Sequence, residues 1–191
     1  CGVKRAVCGP LFETAKDNGF VFIGGHPMAG IEYWGFDHAT ATLFDNASMI
    51  LTPPPGTGIQ TLSDLKHFFR GLGFGRVVMT TPEEHDRMIG YVSQLCHAIA
   101  VSLMCANDNS SLCEYTGDSF RDLTRIARIN DKMWAELFLW NKQNLISEID
   151  QFDSALQEMR AALVADDRDK LEQMFRLSTQ RRAAFDKKLP E

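Results

Sequence analysis

The sequence predicts a mainly helical chain in which a small α/β layer is followed by an all-α part. Three observations carry this. Three short apolar runs, residues 20–23, 48–52 and 76–80, are bounded by glycine or proline clusters and read as strands. One amphipathic segment, residues 61–72, lies between the second and third of them. From Thr81 onward, apolar residues recur at helical spacing alone. The pattern changes near residue 80, which divides the chain into 1–80 and 81–191.

Phe20-Val21-Phe22-Ile23 is closed by Gly24-Gly25, and Ser48-Met49-Ile50-Leu51-Thr52 by Pro53-Pro54-Pro55. Leu62, Leu65, Phe68, Phe69 and Leu72 share one helical face. Gly71, Gly73 and Gly75 follow a helix and precede a strand, the wrong order for a dinucleotide loop, and read as a C-cap and turn. Thr81-Pro82-Glu83-Glu84 is a helix start, with Thr81 as cap, Pro82 at the first position and Glu84 closing a capping box. Ile89, Val92, Leu95 or Cys96, Ile99 and Leu103 line that helix. Ser119 begins another helix, and Asn130-Asp131 a third and long one. The long helix carries Leu145, Ile149, Phe152, Leu156, Met159 and Leu163 in a heptad-like seam, suited to packing on another long helix. Asp166-Asp167 breaks and recaps the chain, and Leu171, Met174, Leu177, Phe185 and Leu189 belong to the returning helix. A helical hairpin of this kind is a common dimerisation device.

The 191 residues are 45% hydrophobic and 24% charged, as in ordinary globular proteins, with a net charge of −5. That charge argues against nucleic-acid and membrane-surface partners. No run of 18 apolar residues occurs, so no bilayer span is expected. Five cysteines without a CxxC pair suggest reduced thiols in a cytoplasm. The first residue is Cys1, inside an apparently helical segment, which reads as part of something longer.

Three clusters could carry chemistry. His26 follows the first apolar run in Gly24-Gly25-His26-Pro27-Met28-Ala29-Gly30, a loop at the carboxyl end of a strand where α/β sheets place ligands. His97 shares a helix face with Ser93, four residues before it. Asp122 and Arg125, three apart, can pair and so orient a guanidinium suited to gripping a carboxylate. Each also has a plain structural reading: a turn histidine, a core histidine, a solvated charge pair. Trp134 is either core or the wall of a ligand pocket. No GxSxG, Walker A or HExxH pattern occurs, and no metal site is expected.

Together these strings resemble the prephenate dehydrogenase family. They are Phe22-Ile23-Gly24-Gly25-His26-Pro27-Met28-Ala29-Gly30 with Glu32 and Gly35, Leu51-Thr52-Pro53, and His85 with the segment Val92–Ala100. Phe120-Arg121-Asp122-Leu123-Thr124-Arg125-Ile126-Ala127, Met133-Trp134 and Asn141 complete the set. The order is the family's, across roughly residues 2–145. The resemblance implies an α/β remnant of a Rossmann-like nucleotide-binding domain (1–80) followed by an all-α substrate-binding and dimerisation domain (81–191). It implies NAD-dependent oxidative decarboxylation of prephenate to 4-hydroxyphenylpyruvate in tyrosine biosynthesis, with NADP left open. The alternatives are an arogenate or cyclohexadienyl dehydrogenase, or, for this chain alone, a catalytically incompetent dimerisation and substrate-binding module.

In that reading His26 is the catalytic base. Arg125 binds the substrate carboxylate with Asp122 orienting it, and His97, Ser93, Glu32 and Trp134 line the substrate pocket. The partners are prephenate or arogenate and a second copy of the chain. The family's preceding βαβ unit with its phosphate-binding loop is absent from the sequence, so the main cofactor-binding residues are unknown. Gly2 stands where the family usually has serine, and Gln94 where it often has histidine.

Overall fold

The computed structural model describes residues 2–31 and 35–185. Glu32 and Leu189 therefore lie outside the described residues. Packing divides the chain into two compact units, Cys1–Leu145 and Ile146–Glu191. This division differs from the change of secondary-structure pattern near residue 80: residues 81–145 pack with the α/β layer.

In the first unit, α1 (Arg5–Asp17) leads to β1 (Gly24–Met28), β2 (Ser48–Thr52), α2 (Ile59–Gly71) and β3 (Arg76–Met79). The sheet order is β1-β2-β3, with β1 antiparallel and β3 parallel to β2. Met49, Leu51 and Phe74 form its core, packed by Ile23, Leu65, Phe69 and Met79. The second and third strands and α2 lie where the apolar pattern puts them.

The first strand does not. The apolar run 20–23 precedes the ladder, with Phe20 and Val21 exposed, and the paired residues are Gly24–Met28. Backbone proximity decides this. A Cβ at Gly24 would collide with Thr52 Oγ1 and Cys8 Sγ, and one at Gly25 would lie 2.7 Å from Met49 Cε. At Gly24 only glycine lets the strand seat, while at Gly25 the flexible end of Met49 could yield. His26 is thus a strand residue opposite Ile50, not a loop residue beyond the strand.

Gly73, at φ +94°, closes the turn after α2 and donates its N–H to Arg70 O at 3.1 Å. Thr81 Oγ1 then accepts the Glu84 N–H at 3.2 Å and starts α3 (Pro82–Ile89). The Glu84 side chain leaves the cap and pairs with Arg87 instead. Helix α3 runs through a π-helical segment, Gly90–Leu95, into α4 (Cys96–Cys105).

This 24-residue run has a mean hydropathy of 1.5 over 18 residues, enough by length and composition for a bilayer span although its apolar residues are not continuous. Its buried His85, Asp86 and Gln94 bond to groups elsewhere in the same unit.

Helix α5 (Asp118–Thr124) starts after Gly117 without a side-chain cap, so Ser119 is not its cap. Asn130 Oδ1 accepts the Met133 N–H and starts α6 (Asp131–Trp140). The expected single long helix breaks at Asn141 (φ −114°, ψ 20°), and α7 (Lys142–Val164) follows.

In the second unit, Asp166 adopts φ +51° and Asp167 accepts the Lys170 N–H, so α8 (Arg168–Arg182) returns alongside α7, as the Asp-Asp pair predicts. A Lys170–Glu158 ion pair ties the two helices, and Ala162 is buried.

Candidate active site

Strand β1 presents His26 to α3. Its Nδ1 lies 2.8 Å from Nε2 of His85, and Nδ1 of His85 lies 2.7 Å from Oδ1 of Asp86. His85 and Asp86 are 1% and 2% exposed. The Asp86 carboxylate also accepts the backbone N–H groups of Lys4 (2.7 Å) and Arg5 (2.8 Å). Those are orphan donors at the start of α1, which has no side-chain cap of its own, so Asp86 caps α1 from another helix.

Burial alone would push the Asp86 carboxyl up. The His85 hydrogen bond and the two backbone donors outweigh it and hold the group below its ordinary value. Burial, with the nearby Lys4 charge and His85, pushes His26 down to about 4. At neutral pH His26 is therefore an uncharged imidazole, able to accept a proton.

Around His97 a second cluster forms. Its Nδ1 donates to Ser93 O at 2.9 Å, which leaves Nε2 as the acceptor. The ring stacks on Trp134 with centroids 3.7 Å apart. Burial lowers its pKa, the Ser93 carbonyl opposes that, and the Arg125 guanidinium lowers it further. The 3-10 turn Arg125–Ala127, packed against α4, thus brings Arg125 into the electrostatic reach of His97. Ser93 contributes its carbonyl; its hydroxyl makes no hydrogen bond among the described residues.

The expected Asp122–Arg125 pair does not form. Thr124, at φ −97° and ψ −3°, ends the α-helix between them, so the i, i+3 spacing no longer aligns the side chains. Asp122 is exposed and makes no ion pair among the described residues, while Arg121 pairs with Asp118 at 2.8 Å.

Under both clusters lies a buried amide network. Asn141 Nδ2 donates to Gln94 Oε1 (2.7 Å) and to Asp86 O (2.8 Å), and Gln94 Nε2 donates to Leu137 O (3.1 Å). It ties the π-helical segment to the α6–α7 break. Gly90 packs against α7 there: a Cβ on it would lie 3.4 Å from that of Asn144, an ordinary contact. π-Helical insertions recur at functional sites.

The residues missed from the sequence are His85 as a partner of His26, and Asp86 altogether. The available signal was that His85 lies four residues before Ile89, on the buried stripe. A polar residue there needs a partner.

An open cleft of about 790 Å³ lies at the carboxyl ends of the parallel strands β2 and β3. Phe12, Pro53, Pro54, Leu62, Met79 and Pro82 give it apolar walls, and Arg5 is the one cation among its described lining residues. Strand ends of this kind take ligands in α/β sheets. Glu83 and Glu84 also line it, so the lining suits a flat ring better than a pyrophosphate. No group of His, Cys, Asp or Glu among the described residues is arranged to hold a metal.

Residues 1–80 match the family model described as the nucleotide-binding domain of prephenate dehydrogenase, and residues 81–177 the model of its dimerization domain. The chain belongs to the prephenate dehydrogenase family. A cyclohexadienyl dehydrogenase of Zymomonas mobilis is 30% identical over 183 residues, covering 92% of this chain and 62% of that protein. A prephenate dehydrogenase of Bacillus subtilis is 33% identical over 162 residues, covering 82% and 43%. The crystal structure of an A. aeolicus prephenate dehydrogenase in complex with hydroxyphenyl propionate and NAD+ superposes with a TM-score of 0.83. That relative is 30% identical, with 97% of this chain and 65% of that one covered. The chain thus spans between 43% and 62% of the length of these two curated relatives.

Proposed function

We propose that this chain supplies the proton-accepting and substrate-binding part of an NAD-dependent prephenate dehydrogenase, converting prephenate to 4-hydroxyphenylpyruvate and CO2. The observation that carries the reading is His26: an uncharged imidazole with Nδ1 engaged by His85 and Nε2 left for a substrate hydroxyl. His26 Nε2 accepts the proton of the ring C4 hydroxyl as hydride leaves C4. The C4–O bond becomes a carbonyl; the ring carboxyl then leaves as CO2, its electron pair makes the ring aromatic and returns to the oxygen, and that oxygen takes a proton back from His26 to become the product hydroxyl. Aromatisation drives that loss, so the residues need only orient and deprotonate. The hydride acceptor would be supplied by bound NAD. In this reading the apolar cleft beyond β2 and β3 takes the ring end of the cofactor through Pro53, Pro54 and Met79. NADP remains the competing cofactor.

Arg125 and His97 receive the substrate's carboxylate end, with Trp134 as the wall behind His97 and Ser93 fixing the His97 tautomer through its carbonyl. Glu32 is assigned to the same pocket on sequence grounds alone. Asp122 is not retained as the orienting partner. The apolar seam of α7 pairs with a second copy of the chain, and the protein works in the cytoplasm.

The test is turnover with prephenate and with arogenate, each with NAD+ and NADP+, alongside His26→Ala. Reduction of cofactor that His26→Ala abolishes is expected. Full activity in His26→Ala would refute the assigned base. The similarity to a cyclohexadienyl dehydrogenase over 92% of this chain supports arogenate as the second substrate to test.

A further inference from the structure

We infer that His85 and Asp86 are positioning residues that fix His26 as its Nδ1–H tautomer and so reserve Nε2 for the incoming proton. The inference rests on the reading of His26 as the base, but its geometry stands independently. Both oxygens of Asp86 accept backbone N–H groups, from Lys4 and Arg5, which selects the ionised, acceptor-only carboxylate. The His85 nitrogen 2.7 Å from Oδ1 must then be an N–H. In a neutral His85 that leaves Nε2 as a lone pair, 2.8 Å from His26 Nδ1. With His85 neutral, His26 Nδ1 donates and its proton-free nitrogen is Nε2; a His85 imidazolium on the Asp86 carboxylate would reverse this, and the 15N measurement separates the two. The hydrogen bond made by one ring nitrogen sets the state of the other. Here the choice is made two residues away, by the carboxylate that also caps α1.

The chain has a second consequence. When His26 Nε2 takes a proton, the positive charge on its ring is shared through Nδ1–H to His85 and faces the Asp86 carboxylate. Lys4, whose charge also reaches His26, acts in the opposite sense. Asp86 thus offsets a cation that would otherwise oppose proton uptake.

The experiment is 15N NMR of the histidine-labelled chain at neutral pH, combined with steady-state kinetics. In the unsubstituted chain His26 should carry hydrogen on Nδ1 and none on Nε2. His85→Gln offers its amide oxygen as the acceptor and should keep that tautomer and most of kcat. His85→Leu removes the acceptor; the Nδ1–H population should fall, and kcat should drop roughly 10²-fold or more while KM changes little. In Asp86→Asn the amide oxygen at the Oδ1 position still accepts from Lys4 and His85, so the tautomer should persist, whereas Asp86→Leu removes the acceptor and the Nδ1–H population of His26 should fall. Amide spectra establish that each variant is folded.

An Nε2–H tautomer in the unsubstituted chain overturns the inference. So does an unchanged His26 tautomer in folded Asp86→Leu and His85→Leu. Absence of turnover with either substrate would strike the functional reading alone, because the tautomer is measured without catalysis.

Discussion

At the scale of single residues, two contrasts can be measured. His26 titrates near 4 when folded and near 6.5 when unfolded, so between those values the unfolded chain binds more protons. Stability from this group is fully present above pH 6.5 and is lost as pH falls toward 4. Allowing for the solvent that reaches the ring, the loss is roughly 1–3 kcal/mol. His26→Asn keeps an N–H for His85 and removes the titration. Thermal unfolding between pH 7 and 5 should therefore show a shallower fall for His26→Asn than for the unsubstituted chain; equal slopes would contradict the buried, neutral ring. The second contrast separates the two members of the expected charge pair. Arg125→Ala removes a charged hydrogen-bond donor and should raise KM roughly 10–100-fold with a smaller effect on kcat. Asp122→Ala, at an exposed residue with no ion pair among the described residues, should leave KM within about twofold. A large rise in KM for Asp122→Ala would reinstate the pairing that Thr124 interrupts.

At the scale of elements, the buried amides hold α3, the π-helical segment and the α6–α7 break together. Asn141→Leu would leave Gln94 Oε1 without a donor, in a region where Asn141 and Gln94 are each 2% exposed, while the Asp86 carbonyl keeps the Gly90 N–H. The expected cost is about 2–4 kcal/mol in chemical denaturation, against about 1 kcal/mol for loss of the Thr81 cap in Thr81→Ala. Comparable losses would mean that the network is bypassed by water. These two elements also mark what the sequence makes legible. The Thr81 cap, the glycine turn after α2 and the Asp166-Asp167 break depend on a few adjacent residues, and they form as local chemistry dictates. Strand β1 does not follow its apolar run, because its place is set by the absence of a side chain at Gly24 against Cys8 and Thr52. Those residues are remote in sequence. The helix break at Asn141 likewise answers to Gln94 and Asp86, some 50 residues away. For the proposed site, His26, His97, Arg125 and Trp134 are singled out by a resemblance of strings, and their roles await substitution. The partner of His26 is not legible, since a buried His-Asp pair is recognisable only when the strand facing it is known.

At the scale of the whole molecule, the heptad-like seam of α7 has a consequence for assembly. Within its own unit the α7–α8 hairpin buries Ala162, while Ile149, Phe152, Leu156 and Leu163 remain exposed, Leu156 at 50% and Leu163 at 59%. Four large apolar side chains on one stripe are costly to leave in water, at roughly 1.5–3 kcal/mol for each fully buried one. A second copy of the same stripe is a self-complementary cover, as a two-fold dimer requires. The match of residues 81–177 to a dimerization domain points the same way. Light scattering after gel filtration should therefore give twice the chain mass at micromolar concentration. Phe152→Glu combined with Leu156→Glu places like charges across the two-fold and should give the monomer, with helical circular dichroism unchanged because neither residue is buried in the hairpin. A monomeric unsubstituted chain, or a dimer that survives both substitutions, would locate the interface elsewhere. The His26 tautomer should be the same in monomer and dimer, because His26, His85 and Asp86 all lie within the first compact unit of a single chain.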